Sequence, residues 1–202
     1  RDKMTVFAVL MRLREICCDP RLVADNWTGS SAKLDACLEL VTEAVAGGHR
    51  ILLFSQFTSM LELLAKRLDE AGVSHFTLQG STPKPVRAEQ VRRFNQGEAD
   101  VFLISLRAGG TGLNLTAADI VIHYDPWWNL AAQNQATDRA YRIGQRNPVQ
   151  VYRLIAQDTI EEKIVELQQA KQSLADTVTG GADGAILSMN PEQLLQLLGE
   201  EA

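Results

Sequence analysis

Cysteine is scarce in this 202-residue chain: Cys17, Cys18 and Cys37 are all it has. They form no CxxC pair, and neighbours such as Cys17 and Cys18 are badly placed to bridge each other, so a disulfide framework is excluded and a reduced, intracellular chain is expected. Long apolar runs are missing as well. Nothing approaches the roughly 20 residues of a membrane helix, and the opening RDKMTVFAVL lacks a signal-peptide cleavage pattern; a start at Arg1 also fits a fragment. Positive charge is not in surplus. The formal charge of -5 and pI near 5.3 exclude a protein that coats nucleic acid by general attraction, so any anion must be bound locally. The phosphate loop GxxxxGK followed by Ser or Thr occurs nowhere.

What is present is enough apolar material, 46% of the chain, for one full core with appendages rather than two domains. Five short apolar runs, RILLFS, HFTLQ, DVFLIS, DIVIHYD and VQVYRLI, read as strands, with amphipathic segments between most of them. That rhythm predicts an α/β fold, a doubly wound and mostly parallel sheet flanked by helices. An N-terminal helix is expected over about residues 3–18 and another from about Lys33, with Leu34, Cys37, Leu38, Val41 and Val45 on one face. Ser59 to Glu62 has the form of a capping box, and Thr159 to Glu162 repeats it ahead of a long helix carrying Ile160, Ile164 and Leu167. Between these, a helix runs from Thr82 and Pro83 to Gly97. After them come a glycine-rich break, TGGADGA, and a short Leu-rich helix from Pro191.

In such sheets ligands bind beyond the carboxyl ends of the strands, and those positions are polar here. Ser55 and Gln56 follow the first strand, Gln79, Gly80 and Ser81 the second. Ser105 and Arg107 follow the third, and Asp125, Trp127, Trp128 and Asn129 the fourth. Taken singly, Ser81 or Thr82 is more often a turn or cap residue. Arg87, Arg92 and Arg93 on the helix after the second strand read as a solvated face diluted by Glu89. The loop SLRAGGTGLNL carries Gly109, Gly110 and Gly112, which permit close backbone approach and turn amide N–H groups toward an anion. It is not a dinucleotide fingerprint, because the third glycine and the spaced acid are absent.

Further on, QATDRAYRIGQ sets Arg139 and Arg142 three positions apart. If residues 131–142 are helical, Gln135, Arg139 and Arg142 fall within about 60° of one another at roughly 100° per residue. An isolated pair of this kind is usually a helix surface in which Asp138 meets Arg142 at i,i+4. Beside a glycine loop the balance changes, because planar, permanently charged guanidinium groups suit the spread negative charge of a phosphoryl group in transfer.

Taken together, ILLFSQFTSMLELL, LQGSTPKPVR, VFLISLRAGGTGLNL, DIVIHYDPWWN and QATDRAYRIGQ resemble motifs IV, IVa, V, Va and VI of the SWI/SNF-type ATP-dependent DNA translocases of helicase superfamily two, in the family's order. LREICCDP and TIEEKIVELQQAKQSLAD are similar to the segments that precede and follow that lobe, so the likeness spans nearly the whole chain. It departs at Leu130, where proline is common, and at Tyr141, where histidine is frequent.

The resemblance implies a second RecA-like lobe over residues 31–157. A helix and connector (1–30) would lead in from the preceding part of the motor, and a bracing helix and tail (158–202) would follow. It further implies ATP with Mg as the nucleotide, held mainly by a first lobe outside this chain, so that this half alone is inactive. Arg139 and Arg142 would be arginine fingers, with Gln135, Gly110, Gly112 and Asn114 beside the nucleotide. Ser55, Gln56, Gln79, Gly80, Ser105, Arg107 and Trp128 would meet double-stranded DNA, while Trp127 packs over a helix end. The implied partners are duplex DNA, the N-terminal RecA-like lobe and a DNA-bound protein target. The implied location is the bacterial cytoplasm and nucleoid, or the nucleus in a eukaryote. The alternatives are a strand-separating DNA or RNA helicase of the same superfamily, a non-catalytic interaction module, and a nicotinamide-binding oxidoreductase. The last rests on the α/β rhythm and the glycine cluster alone.

Overall fold

The computed structural model describes residues 3–106, 108, 112–141 and 144–175. All five apolar runs are strands: β1 (Ile51–Ser55), β2 (His75–Leu78), β3 (Val101–Ser105), β4 (Ile120–His123) and β5 (Gln150–Arg153). They form one sheet of order β2-β3-β1-β4-β5 in which every pairing is parallel. Buried on both faces, β1, β3 and β4 explain why ILLFS, VFLIS and IVIH are continuous rather than alternating in hydrophobicity.

The helices are α1 (Lys3–Cys18), α2 (Ala32–Ala46), α3 (Thr58–Glu70), α4 (Lys84–Asn95), α5 (Leu130–Thr137) and α6 (Ile160–Ala175). Leu34, Cys37 and Val41 of α2 and Met60, Leu61, Leu64 and Leu68 of α3 bury one face of the sheet against Ile51, Leu53, Leu103 and Ile122. Phe94 of α4, Ala136 of α5 and Leu113 and Leu115 bury the other, against Leu52, Phe54, Phe102 and Val121. A third, smaller cluster joins α1 to α6 through Val6, Leu10, Ile160 and Ile164.

Two local expectations need correcting. The capping box at Ser59 does not form: α3 begins at Thr58 after Phe57, whose N–H is taken by the Ser55 hydroxyl at 3.2 Å, so Ser59 and Glu62 are exposed within the helix. At α6 the Thr159 hydroxyl does receive the Glu161 N–H at 3.1 Å, but the Glu162 carboxylate accepts from Asp158 rather than closing the box. The expected stop at Gly97 holds, with φ of 85° after α4, and Gly72 ends α3 in the same way with φ of 69°, a left-handed geometry that favours glycine. The glycine-rich break and the Leu-rich segment from Pro191 lie outside the described residues.

Candidate nucleotide and nucleic-acid face

From β1 the chain crosses to α3 on one face of the sheet, whereas from β3 and β4, on either side of it, the chain crosses on the other. This opens a crevice at the carboxyl end of β1. Ser55 sits at its floor and donates to Asp125 at 2.5 Å, and the Gln56 N–H donates to the same carboxylate at 3.3 Å. Asp125 is buried, and burial pushes its pKa up against the pull of Arg14 and these two donors. Ser55 and Ser105 are buried at 0% and 2% exposure, so both hydroxyls shape the rim from beneath, and neither lines it.

Gln56, Gln79 and Trp128 are half-buried and Gly80 is exposed. Gln79 and Thr82 close a tight turn on themselves, with the Gln79 N–H donating to the Thr82 hydroxyl at 3.0 Å. Trp127 is packed against the core under α5, as a helix-end residue would be, and its N–H donates to Gln133 at 3.1 Å. Trp128 packs instead on the α1–α6 cluster.

The second group lies on the α5 face of the sheet. Helix α5 stops at Thr137, earlier than the sequence pattern implies. Residues 138–140 then tighten into a turn, with the Arg139 N–H reaching Ala136 at 3.4 Å and the Ala140 N–H reaching Thr137 at 3.1 Å. The arithmetic of a continuous helix therefore fails: Gln135 is exposed and Arg139 is buried, so the two do not share a face. What joins the arginine segment to the glycine loop is backbone: the Leu115 N–H donates to the Arg139 carbonyl at 3.3 Å. Gly112, with φ of 37°, and Asn114 are exposed beside it. Gln145 supports the turn by donating to the carbonyls of Ala118 at 2.5 Å and Thr116 at 3.1 Å. Arg107, Gly110 and Arg142 lie outside the described residues.

On α4, Arg92 pairs with Glu89 and Arg93 with Glu98, while Arg87 donates to the Ala108 carbonyl at 3.1 Å, so these cations are engaged within the lobe. Among the described residues no His, Cys, Asp or Glu cluster could hold a metal ion. No helix there is long and apolar enough to cross a membrane.

Residues 32–144 match the model of the helicase conserved C-terminal domain, more than half of the chain. The chain belongs to that family. Within it the resemblance is to the SWI/SNF type. An uncharacterised ATP-dependent helicase of Mycoplasma pneumoniae is 38% identical over 198 residues, covering 98% of this chain and 19% of that protein. The mouse SWI/SNF-related matrix-associated actin-dependent regulator of chromatin, subfamily A member 1, is 39% identical over 190 residues, covering 88% and 18%. Among solved structures, the Sulfolobus solfataricus SWI2/SNF2 ATPase C-terminal domain superposes with a TM-score of 0.76 at 29% identity, covering 96% of this chain and 81% of that one. The chain thus spans about a fifth of the length of the curated relatives it matches.

Sequence reasoning missed the residues that hold this helicase C-terminal lobe together at its rim. Arg14 of α1 is 2% exposed and inserts into the β1 crevice. Lys33 of α2 donates to the carbonyls of Tyr124 at 3.1 Å and Leu154 at 3.2 Å and to the Glu161 carboxylate at 2.6 Å, tying β4, β5 and α6 to one ammonium. Gln168 of α6 donates to the Trp127 carbonyl and lies 3.4 Å from Gln133 of α5. The available signal was a charged or amide residue on an otherwise apolar helix face, as Arg14 is between Leu10 and Cys18.

Proposed function

We propose that this chain is the second RecA-like lobe of an ATP-dependent double-stranded DNA translocase. Arg139 and Arg142 reach across to ATP and Mg held mainly by the first lobe, with Gln135, Gly110, Gly112 and Asn114 beside the nucleotide. Gln56, Gln79, Gly80, Arg107 and Trp128 meet the DNA backbone, and Ser55 and Ser105 fix the rim below them. The observation that carries the reading is the helicase C-terminal match over residues 32–144, together with the β3 and β4 rims standing at the carboxyl edge of one parallel sheet. The Leu115–Arg139 backbone link supports the pairing of glycine loop and arginine segment.

Phosphate transfer needs positioning and charge neutralisation rather than covalent help from the protein, so closure of the two lobes around the nucleotide sets the rate. A sequence-blind grip on phosphates then converts closure into movement along the duplex. A DNA-bound protein is the target displaced, in the bacterial nucleoid or the eukaryotic nucleus. Strand separation is the second reading, favoured by the word helicase in the names of relatives.

The test uses the full-length protein. Duplex DNA is expected to stimulate its ATPase more than single-stranded DNA does. Replacing Arg139 or Arg142 by alanine is expected to lower turnover by about 10³ to 10⁵ while affecting ATP binding less. Unchanged turnover in the double variant would assign the lobe to a docking role, and efficient strand displacement would assign it to the helicases proper.

A further inference from the structure

Helix α1 lies outside the matched family domain, yet among the described residues it supplies the most enclosed cation of the crevice. The Arg14 guanidinium stands over two aromatic rings, its Cζ 5.3 Å from the centroid of Phe57 and 5.0 Å from that of Trp128. It donates through Nη2 to the Gln56 side-chain oxygen and, at 3.1 Å, to the Pro126 carbonyl. Nη2 also stands 3.9 Å from the Asp125 carboxylate that anchors Ser55 and the Gln56 backbone.

A flat group set against two rings and hydrogen-bonded through its N–H groups fixes direction as well as charge. Because Gln56 accepts from Arg14 through Oε1, its carboxamide is held in one polarity, and Nε2 is buried without a hydrogen-bond partner among the described residues. That end of the amide is an enclosed donor with unmet hydrogen-bonding capacity, which a phosphate oxygen reaching into the crevice would satisfy. Trp128 is held by the same guanidinium.

We infer that Arg14 is a positioning residue for the nucleic-acid face: it orients Gln56 and Trp128 together, and so makes α1 part of the DNA-responsive rim. The inference rests on the reading that Gln56 and Trp128 meet DNA. A merely structural arginine would affect folding without selecting one ligand, whereas a positioning arginine alters the response to DNA and leaves the response to ATP alone.

The experiment measures, in the full-length protein, the duplex DNA concentration giving half-maximal ATPase stimulation, the KM for ATP and the melting temperature. Arg14→Met is expected to raise the DNA concentration needed by about tenfold, the scale of one well-oriented polar contact, with KM for ATP within about twofold of wild type. Arg14→Lys keeps the charge but not the plane, so it is expected to recover little of the loss. Phe57→Leu removes one of the two rings without touching Gln56 or Trp128, and a smaller rise of about threefold is expected; this variant decides the matter if Arg14→Met does not fold. DNA stimulation in wild type with no rise in either Phe57→Leu or the Arg14 variants overturns the inference alone. A wild-type ATPase indifferent to DNA overturns the translocase reading and the inference with it.

Discussion

The two rims of this lobe are held by different chemistry. At the β1–β4 crevice the fasteners are buried ions: Arg14, Asp125, Lys33 and Glu161, each at most 7% exposed. At the glycine–arginine segment, neutral contacts tie the backbone among the described residues. Asn95 donates to the Asn114 carbonyl at 2.8 Å, Gln145 to the carbonyls of Thr116 and Ala118, and Leu115 to Arg139. Buried ions are costly to separate and admit few geometries, whereas amide and carbonyl contacts can be exchanged one at a time. The difference fits a crevice that keeps its shape and, under the proposed function, an arginine segment that rearranges when the first lobe closes on it.

The sharpest way to break the comparison is to remove one ion from the crevice. Lys33→Met leaves Glu161 charged and buried and frees two carbonyls, so a loss of about 3–5 kcal/mol is expected in denaturant unfolding. Adding Glu161→Gln removes the stranded charge while keeping an acceptor for the Ala156 N–H, which the carboxylate holds at 2.8 Å, and is expected to recover much of that loss. If the single variant costs no more than a surface pair, the crevice is not held by its ions.

A second, intermediate effect comes from His123, which joins the two regions. Its ring stacks on Phe54 at 5.5 Å and meets the Thr137 hydroxyl at 2.8 Å, at the end of α5. Burial, and secondarily the nearby Arg153 cation, pushes its pKa from the ordinary 6.5 down to about 4. As pH falls below about 6.5 the unfolded chain takes up the proton first. The stability contribution is therefore whole above that pH and lost progressively toward pH 4, by up to ~3 kcal/mol. Unfolding measured across pH 4–7 is expected to show this slope, and His123→Gln to flatten it.

The sheet was legible because burial on both faces writes itself as unbroken apolar runs at β1, β3 and β4, while the more exposed β2 and β5 stood out as short apolar segments between helical patterns. The carboxyl rim was legible because it is where such runs turn polar, at Ser55, Ser105 and Asp125. The end of α5 was not, since AAQNQATDRAYR favours helix throughout and only the tie from Leu115, a contact with a residue 24 positions earlier in the chain, shows why the chain tightens at Arg139. Arg14 and Lys33 were illegible for the same reason: their partners Gln56, Pro126, Leu154 and Glu161 are remote in sequence, and an arginine or lysine near a helix end reads as solvated until its neighbours are known.

The smallest expected effect belongs to the neutral side. Asn129 caps α5, its side-chain oxygen accepting the Ala132 N–H at 3.1 Å in the absence of any acidic residue in the first turn. Asn129→Ala leaves that N–H unsatisfied, and about 1 kcal/mol of stability is expected to go with it. The helix leads directly into the turn that presents Arg139, so the same variant is expected to loosen the arginine segment more than the crevice. Amide hydrogen exchange checks both parts at once: protection should fall at residues 131–140 while β1 and β4 stay slow. If β1 and β4 exchanged faster together with α5, the two rims would be one cooperative unit, and the contrast between an ion-fastened crevice and an exchangeable arginine segment would be chemical only, with no consequence for motion.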